Sequence, residues 1–118
     1  MADAGLFIGW GQVVRGREGP AVDGFNEFVE FVGQLQGDGR IENFEICFLD
    51  PHGGDLAGYI LLRGSTGQMD GIRDDDEFLR HMTRADLHVE NLGMIGASLG
   101  DGIARQMAIY QEEISALV

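Results

Sequence analysis

Apolar and polar positions along the chain change period several times, and each change marks an element. Leu6–Val14 (LFIGWGQVV) is a β-type run of large and branched residues that ends in the charged turn RGREG. Past Pro20, the residues Val22, Phe25, Phe28, Val29, Val32 and Leu35 recur at helical spacing. Asp23, Asn26, Glu27 and Glu30 lie mostly on the other side, and Gly37 and Gly39 stop the helix. Ile41–Leu49 alternates in part and reads as a second strand, and Leu56–Arg63 as a third. Ser65 and Gln68 have the spacing of a capping box, which starts a second helical region. Met69 and Ile72 share one stripe, but Phe78, Leu79 and Met82 fall on a different phase. Asp74, Asp75, Asp76 and Glu77 lie at the break, where acidic side chains cap a fresh N-terminus and favour its dipole. Thr66–Ala85 is therefore expected to form two short helices or one broken helix. Leu87–Ala97 predicts a fourth strand. Last, Ile103, Met107, Tyr110, Ile114 and Leu117 step by 4, 3, 4, 3, the seam of a helix that packs along another helix.

The order is β-α-β-β-α-β with a C-terminal helix at about 101–117, an α+β, ferredoxin-like arrangement with an antiparallel sheet and its helices on one face. With 118 residues the chain is expected to be one domain, 1–118. The strands carry apolar residues on both faces: Leu6, Ile8 and Trp10 oppose Phe7 and Val13, while Phe44, Ile46 and Phe48 oppose Cys47 and Leu49. A sheet covered on one side only has no use for the second apolar face. That face is expected to meet a second copy, making a homodimer through the sheet, and the C-terminal seam to bury Met107 and Ile114 on its own subunit or on the partner.

This pattern resembles the dimeric α+β barrel proteins, in which two ferredoxin-like sheets pack face to face. Within that group, the stretch from GDGRI through the third strand to DDDEF and VENLG is similar to the YCII-like proteins. The group includes cofactor-free monooxygenases, isomerases and haem-dependent decolorising enzymes, so the resemblance implies a fold and leaves the activity open. YCII-like proteins are known for a His–Asp pair whose histidine lies in the first helix region. Ala21–Gln36 contains no histidine, so that chemistry does not carry over.

A net charge of −12 narrows the partners. Nucleic-acid binders neutralise phosphates with Lys and Arg, and this chain repels a polyanion, so neither nucleic acid nor an anionic membrane is expected. Cys47 is the one cysteine and sits in an apolar run, which suggests a buried, inert thiol. MADAGLFIGWG has no basic region before its apolar run, unlike a signal peptide, and no apolar run approaches the roughly 20 residues that span a bilayer. A cytoplasmic protein is the expectation.

The candidate chemistry is sparse. LDPHGGDL, Leu49–Leu56, joins two adjacent strands. Proline pre-sets φ, glycine supplies positive φ and Asp accepts local backbone hydrogen bonds, so a turn accounts for every residue but His52. Asp50, His52 and Asp55 need further ligands from elsewhere to bind a metal, and His52→Ala is expected to change stability by less than about 0.5 kcal/mol. GASLG, Gly96–Gly100, matches a nucleophile elbow around Ser98, but no histidine follows His88 to complete the triad. As a phosphate cradle, GASLGDG lacks the usual basic residue. Polar residues inside the strands are more informative. Glu45 interrupts the second strand, Tyr59 and Arg63 share a face of the third, and His88 and Glu90 share a face of the fourth. Converging, they would orient a small polar ligand and move a proton; otherwise they are solvated edge positions or ion pairs across a dimer. His81, beside Arg80 and Arg84, reads as surface. Gly9 and Gly11 admit close packing or leave room for a ligand, Trp10 reads as core or interface, and Arg15 and Arg17 as surface ion pairs or an anion contact.

Three functions remain. One is a small-molecule-binding or cofactor-free enzymatic dimer with a pocket between sheet and helices. Another is a non-catalytic dimeric module for protein interaction or regulation. The third, a haem- or metal-dependent enzyme, finds no histidine in a ligating context, so no cofactor is expected.

Overall fold

A computed structural model describes residues 2–117. Strand β1 (Ala4–Trp10) is followed by helix α1 (Glu18–Gly37), strands β2 (Asn43–Phe48) and β3 (Gly58–Gly64), helices α2 (Thr66–Arg73) and α3 (Asp76–Asp86), strand β4 (Gly93–Ser98) and helix α4 (Asp101–Ala116). The four strands form one antiparallel sheet in the order β2-β3-β1-β4. The central strands β1 and β3 are thus flanked by β2 and β4, the arrangement of a β-α-β-β-α-β chain.

The alternation of side chains sorts the sheet. Leu6 pairs with Leu62 and Ile8 with Ile60, and all four are buried beneath the helices. They pack against Phe28, Phe31, Val32 and Leu35 of α1, Met69 and Ile72 of α2, and Phe78 and Met82 of α3. The register puts Phe7, Tyr59, Leu61, Cys47, Ile95 and Ala97 on the opposite face. No helix covers it, Ile95 is 60% exposed, and Phe7 stacks on Tyr59 at 4.9 Å. Cys47 is half-buried on this face rather than in the core.

Local chemistry sets the breaks. Ser65 accepts from the Gln68 amide at 3.1 Å and the Gln68 side chain accepts from the Ser65 amide at 2.8 Å, completing the capping box. The second helical region is indeed two helices. Asp75 caps α3 by accepting from the Phe78 amide at 2.9 Å; that bond, and the Arg40 guanidinium 2.9 Å away, hold its carboxyl below the usual range.

Two expected strands have other bounds. β1 stops at Trp10 and β4 begins only at Gly93. Leu87 caps α3, and the His88 and Val89 amides donate back to the Ala85 carbonyl at 2.9 and 3.0 Å. Asn91 then takes a positive φ of 57°, which interrupts the pleat. Pairing survives beyond the break as a single bridge between Val13 and Val89. His88 and Glu90 therefore lie in a connection, not on a strand.

The loop between β2 and β3 is a turn, with Gly53 at φ 83°, but His52 is part of its construction. Its Nδ1 accepts from the Gly54 amide at 3.2 Å, so Nε2 carries the proton and donates to the Leu56 carbonyl at 2.7 Å. The reading of His52 as idle is corrected: the imidazole spans the loop, a role that sequence spacing does not reveal. His52→Ala is expected to cost about 1 kcal/mol in urea unfolding. A loss below about 0.3 kcal/mol, within the surface range, would mean the two bonds are not formed in solution.

Candidate functional site

Between α1, α3 and the helix-covered face of the sheet lies a cavity of about 450 Å³, within the usual range for small-ligand sites. Ala21 and Gly24 of α1 and Met82 and Ala85 of α3 line it together with Ile8, Trp10 and Ile60 of the sheet, and Ala21, Gly24 and Ala85 are too small to fill it. Trp10 forms one wall with Phe25 at 5.8 Å and Phe48 at 6.2 Å, both edge-on. Phe28, Val89 and Leu92 complete an apolar lining. The mouth is rimmed by Val22 and Phe48, which are 58% and 68% exposed.

Two imidazoles line this apolar space. His88 arrives through the Leu87–Leu92 connection, with its backbone carbonyl held by the Val14 amide at 2.9 Å. Its Nδ1 is buried and has no hydrogen-bond partner among the described residues. An unsatisfied buried nitrogen is costly, and this one belongs to a ring that lines a ligand-sized cavity. His81 lies between Phe28 and Phe31, with ring centroids 5.5 and 4.8 Å away. Burial, with help from the Arg84 charge, lowers its pKa below 6.5.

His81 is 9% exposed, so the surface reading is corrected. It stands three positions after Phe78 and four before Ala85, on the buried stripe of α3. Helical phase would have found it, had it not been grouped with its neighbours Arg80 and Arg84. A consequence can be measured. The unfolded chain binds a proton at His81 more readily than the folded one, so this contribution to stability is complete above about 6.5 and is lost as the pH falls through the lowered folded value. In urea unfolding at a series of pH values, His81→Leu is expected to flatten the dependence below pH 6.5; an unchanged slope would show that His81 does not titrate there.

The five strand-based candidates do not converge. Glu45 and Arg63 form an ion pair at 2.7 Å on the uncovered sheet face, with Asn43 accepting from Arg63 at 3.3 Å. Tyr59 shares that face, and a hydrogen bond with the Cys47 side chain raises its pKa, with the Cys47 and Glu45 charges adding and Arg63 opposing. His88 is on the other side of the sheet, at the cavity. Glu90 is exposed, and its backbone rather than its carboxylate is engaged, accepting from the Gly11 amide at 2.7 Å. The gaps left by Gly9 and Gly11 hold protein, not ligand. A Cβ at Gly9 would lie 2.8 Å from the Phe7 ring and 2.9 Å from Leu56, and one at Gly11 2.8 Å from the Asp55 and Glu90 carbonyls. Arg17 donates to the Leu87 carbonyl at 2.9 Å, tying the start of α1 to the end of α3 beside the cavity.

Among the described residues, no group of three or more His, Cys, Asp or Glu is placed to hold a metal ion, and no helix is long and apolar enough to cross a membrane.

No protein-family model matches the chain, and no curated protein matches its sequence significantly. Solved structures do match in shape. A dimeric protein of unknown function and ferredoxin-like fold from Bacteroides fragilis NCTC 9343 superimposes with a TM-score of 0.59 at 10% identity, over 81% of this chain and 96% of that one. SnoaB, a cofactor-independent oxygenase from Streptomyces nogalater, does so with a TM-score of 0.54 at 16% identity, over 84% and 95%. The chain has a ferredoxin-like fold. At these identities the match carries the ferredoxin-like fold alone, and it does not reach the narrower YCII-like group.

Proposed function

We propose that this protein binds a small, largely apolar molecule in the cavity between the sheet and helices α1 and α3, and that His88 is its polar anchor. The observation that carries this reading is the unpartnered Nδ1 of His88, buried at the edge of an apolar cavity of about 450 Å³. The lining favours a flat apolar body with one hydroxyl or carbonyl, rather than the small polar ligand expected from the strand residues, because Trp10, Phe25 and Phe48 offer ring faces and edges. SnoaB, a cofactor-independent oxygenase, has a fold of this kind. For a reaction of that class, His88 is the group in this cavity best placed to accept a proton from a bound hydroxyl. The uncovered sheet face supports a homodimer, as does the dimeric state of the Bacteroides fragilis protein.

Trp10 is the one tryptophan in the chain and lies in the cavity wall, so its fluorescence reports occupancy. Titration with 2-naphthol is expected to change that fluorescence saturably. His88→Leu is expected to weaken 2-naphthol about tenfold, the worth of one buried hydrogen bond, and to leave naphthalene unaffected. Absence of a saturable change up to the solubility limit of 2-naphthol would sink the reading.

A further inference from the structure

We propose that α4 pairs antiparallel with α4 of a second copy of this chain, centred on Tyr110. None of its residues is buried. Ile103 is 51% exposed, Met107 51%, Tyr110 62%, Ile114 46% and Leu117 88%. The helix meets its own domain mainly at β4, and it does so with the polar side. Asp101, Gly102, Arg105 and Gln106 line a groove with Asp3, Asp70 and Arg73, and at 100° per residue the centre of the apolar seam is turned roughly 130° from them. The radius of gyration, 16.4 Å, exceeds the roughly 13.5 Å of a compact chain of this length, as a projecting helix requires. An amphipathic helix that presents its polar side to its own domain is built to be covered by something else.

The occupant follows from the seam. Its 4-3-4-3 steps are those of helix-on-helix packing, and they are nearly symmetric about Tyr110. Reversed, Ile103 falls opposite Leu117, Met107 opposite Ile114, and Tyr110 opposite itself. That is the self-complementarity a two-fold contact demands. The helix dipoles select the direction: an antiparallel pair opposes them, whereas a parallel pair aligns them side by side. The acidic helix in a chain of net charge −12 argues against an anionic membrane as the cover. The seam and the uncovered sheet face are both unpartnered apolar surface, and a standard interface uses roughly 800 Å² per copy.

The test uses cross-linking in the full chain. In a Cys47→Ser background, which removes the one native thiol, Tyr110→Cys is expected to oxidise to a covalent dimer at micromolar concentration. Glu112→Cys, on the side away from the seam, is expected to stay unlinked. Met107→Asp or Ile114→Asp is expected to raise the dissociation constant of self-association at least about tenfold in sedimentation equilibrium, with the circular dichroism of the folded domain retained. Tyr110→Cys without a cross-link, or Glu112→Cys cross-linking equally well, overturns the pairing, as does a wild-type chain that sediments as a monomer. Should an Asp variant fail to fold, the cross-linking pair decides, since neither cysteine replaces a buried residue.

Discussion

Phe78→Ala is expected to remove about 3–5 kcal/mol of stability. The ring is fully buried in the first turn of α3, where its amide closes the cap on Asp75 and its side chain reaches Phe28 at 6.1 Å. It joins α3 to α1 through Phe28 and is not itself among the residues that line the cavity. At about 4 °C per kcal/mol for a domain of this size, the melting temperature should fall by about 12–20 °C in a thermal scan followed by circular dichroism. A shift below about 4 °C would mean that the α1–α3 contact is not part of the cooperative core.

Gly24→Leu is expected to act in opposite directions on stability and binding. Gly24 lies within α1 and lines the cavity, and a Cβ there would meet no atom within 4 Å. Replacing a helical glycine removes a backbone-entropy cost of about 1 kcal/mol, and the leucine fills space that 2-naphthol would need. Urea unfolding should thus show a gain of about 0.5–1 kcal/mol, while the Trp10 response to 2-naphthol is lost. A destabilised variant would mean that the cavity is closed in solution, and a stabilised variant with undiminished binding would place the ligand elsewhere.

Much of the fold was legible because it rests on local periodicity. Alternation marked the strand cores, the Ser65–Gln68 capping box marked the start of α2, and the phase change at Asp74–Asp76 marked the break that Asp75 caps. The two apolar sheet faces were visible for the same reason, since side chains alternate whatever the sheet packs against. The site was less legible. Whether His88 and Glu90 join Tyr59 and Arg63 depended on the register of the fourth strand, and the pairing of Ile8 with Met94 sets its even positions on the helix-covered face instead. Asn91, at φ 57°, ends the pleat between Glu90 and β4, a conformation that asparagine adopts more readily than most residues.

What the chain determined by itself is therefore its elements, their order and the amphipathic character of each. Tertiary structure decided three further things: that His88 and His81 meet at an apolar cavity, that Glu45, Tyr59 and Arg63 lie on the far side of the sheet from it, and that α4 shows its own domain a polar side. The reason is one of range. Periodicity is fixed by backbone geometry over one or two turns, whereas which faces meet depends on packing between residues far apart in the chain. A helix with an apolar seam reads the same whether the surface that covers it is its own or another's.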